Sequence, residues 1–135
     1  MFKVSFLNSV CYLFVKYALF FFVLAFIGNR FNNAVTNNAE TSMEMMKLSL
    51  VYVLYILVYI FFLVLLSSVP LYFILKIENR INFVLSTISF FVIEYFAYTF
   101  LFSPSDKVIG LYNLIIGIVV FILFYYKSII QLFRL

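Results

Sequence analysis

Two ionisable residues of this chain stand where charge is expensive. Lys16 lies within the first long apolar run and Glu94 within the third. On insertion scales a charge at the centre of a membrane-spanning helix costs roughly 2.5–3.5 kcal/mol, so such residues turn toward other protein and pair. Lys16 follows Val4, the start of its run, by 12 residues, and Glu94 follows Ile81 by 13. At helical rise both stand roughly 18–20 Å along their segments. Equal depth on two helices running the same way permits an ion pair. Three readings follow: a structural pair, a functional proton, ion or docking site, or a Lys16 that snorkels to the interface while Glu94 stands apart.

A polar stripe leads to Lys16. Ser5, Ser9, Tyr12 and Lys16 fall at i, i+4, i+7 and i+11, which is one helical face. Beyond Lys16 the same face is dry, with Phe20, Val23 and Ile27. The functional reading is a crevice that ends at a buried charge. The structural reading is a set of hydrogen bonds between helices. In the last segment Gly110, Asn113 and Gly117 share a side, and small residues there let helices approach closely. Ser49, Tyr52, Tyr55 and Tyr59 lie close to one face of the second segment. They suit either a polar pathway or an aromatic belt at a membrane surface.

The elements that must position these residues are apolar helices. The expected spans cover about residues 4–28, 42–69, 81–102 and 104–126. Gly28-Asn29 is a helix stop. Residues 29–40 form an Asn-rich polar loop. Thr41-Ser42-Met43-Glu44 reads as a capping box in which Glu44 returns to the Thr41 amide. Pro70 ends or kinks the second span, with Leu71 to Leu75 able to continue it as a short interfacial turn. Lys76, Glu78, Asn79, Arg80 and Asn82 make a tight polar connection. Ser103-Pro104-Ser105-Asp106 is a helix start, with Ser at the cap and Pro at the first helical position. Short connections between four helices make neighbours antiparallel. The expected fold is all-α: one polytopic domain, a four-transmembrane-helix antiparallel bundle.

Composition agrees and excludes several functions. Two-thirds of the 135 residues are hydrophobic and 10% are charged, against about a quarter charged in a soluble domain. Mean hydropathy is +1.20. Lys3 ahead of an apolar run has the look of a signal peptide. Lys16 interrupts that run and no small-x-small site precedes the polar loop, so the segment is expected to be retained. The net charge of +4 comes from scattered basic residues rather than a basic face, so nucleic acid is not an expected partner. A lone cysteine, Cys11, excludes thiol oxidoreductases that need cysteine pairs, and the lack of histidine argues against a metal site or haem. No cofactor and no catalytic set is expected. With both termini on one side, that side holds Lys3, Lys76, Arg80, Lys127 and Arg134, against Arg30, Lys47 and Lys107 on the other. The positive-inside rule then places the termini in the cytoplasm. The expected location is the inner (plasma) membrane of an AT-rich bacterium, or alternatively an organelle inner membrane.

One short resemblance points to a function. Ile93-Glu94-Tyr95 with Ala97, and Leu111-Tyr112-Asn113-Leu114 in the next helix, resemble stretches of the immunity proteins for pore-forming colicins. Those are small multi-helix inner-membrane proteins that block a toxin's pore helices. The resemblance implies a role exerted through helix contacts. With no soluble domain and no catalytic set, the expected function is that of a non-enzymatic membrane protein acting on a membrane partner or on a second copy of itself. It would be an accessory subunit, a toxin-immunity protein or a defence-system component. The alternative is a small oligomeric channel or transporter that uses Lys16 and Glu94.

Overall fold

Every long apolar run of the chain is helical in the structure, a computed structural model that describes residues 6–27, 29–102 and 108–134. Helix α1 spans Phe6–Phe26, α2 Ser42–Leu75, α3 Arg80–Phe96, α4 Val108–Phe124 and α5 Tyr126–Phe133. No strand occurs among the described residues. Three helices are long and apolar enough to cross a membrane, and a fourth is added if the bent pair α4–α5 counts as one span. Helix α1 packs on α2 and α4, and α3 packs on the same two, so α1 and α3 stand diagonally across a ring. Ser5, Gly28 and the expected Ser103–Asp106 helix start lie outside the described residues.

The caps follow from side-chain chemistry. Thr41 is extended (φ −126°, ψ 161°) and its hydroxyl accepts from the Glu44 amide at 3.2 Å. The Glu44 carboxylate accepts from the amide of Glu40 at 3.0 Å, not from that of Thr41 as expected. The extended Thr41 lays the preceding amide across the open helix end, where it meets the carboxylate. At α3 the cap is Asn79, whose side-chain oxygen accepts from the amides of Ile81 and Asn82 at 3.0 and 3.3 Å. A carboxamide there satisfies two otherwise orphaned donors.

Three elements depart from the expectation. The Asn-rich loop contains a π-helical turn, Asn32–Thr36, anchored by a fully buried Val35. Asn29, at φ 56°, makes the reversal into it, and Asn tolerates that left-handed region better than most residues. Helix α2 continues through Pro70 to Leu75. Proline inside a helix costs about 3 kcal/mol. Leu71 and Leu75, one turn apart on the inner face, are both buried, and each such burial returns roughly 1.5–3 kcal/mol. Finally, the last helix does not run straight. It turns by 77° at Tyr125 into α5. Leu132 thereby returns to the core, and Arg80 donates to the Arg134 carbonyl at 3.3 Å. Lys127, Ser128 and Gln131 interrupt the apolar sequence after Tyr126, so α5 is two-faced and lies across the bundle end. The third segment widens to a π-helix over Ala97–Phe102, and residues 103–107, which follow, lie outside the described ones.

Candidate functional site

The polar residues of α1, α3 and α4 meet at the centre of the ring. Lys16 is fully buried and its Nζ bonds Oε2 of Glu94, which is 9% exposed. The other carboxylate oxygen, Oε1, accepts from the Tyr17 hydroxyl at 2.5 Å. Tyr17 also lies 3.0 Å from the Ser67 hydroxyl on α2. Since the single phenolic proton goes to Glu94, Ser67 is the donor to Tyr17. The pair therefore joins diagonal helices, and its hydrogen bonds reach a third.

Aromatic rings and a glycine enclose the ammonium group. Nζ lies 5.1, 5.5 and 5.7 Å from the ring centroids of Tyr17, Phe91 and Phe90, within the range of cation–π attraction. On the α4 side it passes over Gly117. A Cβ at Gly117 would stand 2.8 Å from Lys16 Cε and 3.2 Å from both Nζ and the Phe91 ring. Only the absence of a side chain lets Lys16 cross that helix toward Glu94. Gly110 plays the same part for Thr99, whose hydroxyl a Cβ would strike. Between the two glycines Asn113 is buried, and its amide has no hydrogen-bond partner among the described residues.

Of the stripe on α1, Ser9 and Tyr12 are fully buried with Lys16. The space expected as a crevice is filled. The Tyr12 ring packs 5.6 Å from Phe121, 5.7 Å from Tyr125 and 6.1 Å from Phe124. Its hydroxyl donates to the Gly117 carbonyl at 2.8 Å, tying α1 to α4. Tyr17, Ser67, Phe90 and Phe91 were not singled out from the sequence. Tyr17 is adjacent to Lys16 and so falls about 100° off the stripe. It takes part because α1 is covered on more than one side.

The site is enclosed, with both carboxylate oxygens engaged. Glu94 has an ammonium on one oxygen and a phenol on the other, and Lys16 has no open face. Among the described residues no group of three metal-ligating side chains comes together. Comparison with protein-family models, characterised proteins and solved structures returns no match. The resemblance in α3 and α4 thus stands on its few residues alone.

Proposed function

We propose that this chain is a four-span antiparallel bundle of the inner (plasma) membrane, both termini cytoplasmic, that acts without catalysis through helix contacts with a membrane partner. Accessory subunit, toxin-immunity protein and defence-system component are the roles consistent with that mode. The observation that carries the reading is the outer half of α2. No residue of α2 before Ile60 is buried. That is about 27 Å of helix at 1.5 Å per residue. Val51, Leu54, Val58, Phe62, Leu65 and Val69 recur at helical spacing, all exposed. In a membrane such a face meets either lipid or another helix, and in the proposed reading a partner helix takes it. A channel or transporter built on Lys16 and Glu94 draws no support from a pair with both carboxylate oxygens engaged and the lysine enclosed.

Photo-crosslinkers placed singly at Val51, Leu54 and Val58 test the partner reading in intact cells. The expected result is one polypeptide adduct of defined mass, either a second copy or another membrane protein. Lipid adducts alone at all three positions would refute it.

Orientation is tested by cysteine labelling in a Cys11→Ala background, since Cys11 is an exposed thiol. Asn37→Cys is expected to react with an impermeant maleimide from outside, and Glu78→Cys only after permeabilisation. Glu78 is chosen over Asn79 because Asn79 caps α3. The reverse pattern would invert the topology.

A further inference from the structure

We propose that the cleft at the Arg30 end of the molecule is a binding site for an anionic phospholipid, with its phosphate on Arg30 and Asn33 and one acyl chain along α2. The cleft has a volume of about 610 Å³, within the usual size range of ligand pockets. Its α2 wall runs from Tyr52 to Leu63, roughly 16 Å at helical rise. Arg30 is its one charged lining residue, and Tyr52, Tyr55, Tyr59 and Tyr98 are also among those that line it. Arg30, Asn33 and Ala34 form its rim, and Phe21, Leu24, Ile56, Leu63 and Ile109 line its length.

Two observations point to the ligand's chemistry. Arg30 is exposed and forms no ion pair among the described residues, so a positive charge stands uncompensated over an apolar slot. Tyr59 accepts a hydrogen bond from Tyr55 at 3.0 Å. Its own proton has no acceptor among the described residues, which leaves a donor for an ester carbonyl below the headgroup. Local structure builds the rim. The Asn29 reversal turns the chain back, and Phe31 locks it down by stacking on Phe26 and packing edge-on against Tyr52. A soluble polyanion would call for several cations in open water. One arginine above a long apolar slot is complementary to a single anionic head on a hydrocarbon chain.

The proposal rests on the membrane placement and is separate from the protein partner. Protein extracted in mild detergent is titrated with phosphatidylglycerol, with phosphatidylcholine of the same chains, and with inorganic phosphate, and bound species are counted by native mass spectrometry. The expected result is one phosphatidylglycerol per chain, weaker phosphatidylcholine and no phosphate. Arg30→Gln should weaken phosphatidylglycerol roughly fivefold, toward the phosphatidylcholine level. Ala34→Phe should block both lipids, and Lys127→Gln on α5 should change neither. Equal binding of the two lipids, an unaffected Arg30→Gln, phosphate binding as tightly as lipid, or a crosslinker at Tyr59 that captures a polypeptide would overturn it. Recovery of the chain outside the membrane fraction would instead sink the membrane placement, before any lipid is added.

Discussion

Lys16→Met and Glu94→Gln are each expected to destabilise the protein by about 3–5 kcal/mol, the cost of leaving one charge of a buried pair uncompensated. The double variant should recover most of that loss. The physical reason lies in the surroundings. Lys16 is enclosed by Tyr17, Phe90, Phe91 and Gly117 and has no route to water. Alone, the ammonium would keep its desolvation cost and lose its carboxylate. Glu94 alone would keep the Tyr17 hydrogen bond, which offsets only part of its burial. A methionine has nearly the length of lysine and suits a site ringed by aromatics. Thermal unfolding of detergent-extracted protein, followed by helical circular dichroism, measures all three variants. Double-variant loss equal to the sum of the single losses would show that the two groups are not coupled. If the double variant is stable yet no longer captures a partner at α2, the pair also has a functional role.

Gly117→Leu is expected to be comparably damaging, and Gly117→Ala to cost about 1–3 kcal/mol. The alanine case sets two effects against each other. Alanine gains about 1 kcal/mol of helix propensity over glycine. Its Cβ would stand 2.8 Å from Lys16 Cε and 3.2 Å from Phe91. A lysine side chain free at its far end could move aside at little cost. This one is held at that end by Glu94 and backed by rings, so clearing the methyl group strains the ion pair. The clash therefore outweighs the propensity gain. The signature is coupling: in a Lys16→Met, Glu94→Gln background the flexible thioether is not held, and the penalty of Gly117→Ala should shrink. An unchanged penalty there would locate the damage in the Tyr12 bond to the Gly117 carbonyl instead.

Much of the architecture was legible because it depends on one-dimensional quantities. Long apolar runs with few charges require helices, and these runs are helical where the structure describes them. The Thr41 cap was legible because a hydroxyl three residues before a carboxylate has a local use. Equal depth of Lys16 and Glu94 is likewise a count along two helices. Other features need a partner from elsewhere in the chain. Pro70 reads as a stop or a kink because local cost is all that sequence displays, whereas Leu71 and Leu75 gain their burial from distant residues. The Val35 anchor is a single apolar residue in a polar loop, too little for periodicity to register. The bend at Tyr125 depends on Leu132 finding the core.

The sequence by itself determined that the chain is helical, that it is apolar enough to cross a membrane, and that two charges need an answer at similar depth. Only the tertiary structure decided what answers them. Diagonal helices touch only where the residues between them are small enough. Gly117 opens the path, Tyr17 and Ser67 complete the carboxylate's hydrogen bonds, and Tyr12 closes the crevice that its polar spacing had suggested. Spacing states which side of a helix a residue occupies. What stands opposite depends on how four helices pack around one another, and that is fixed by fit among side chains distant in sequence.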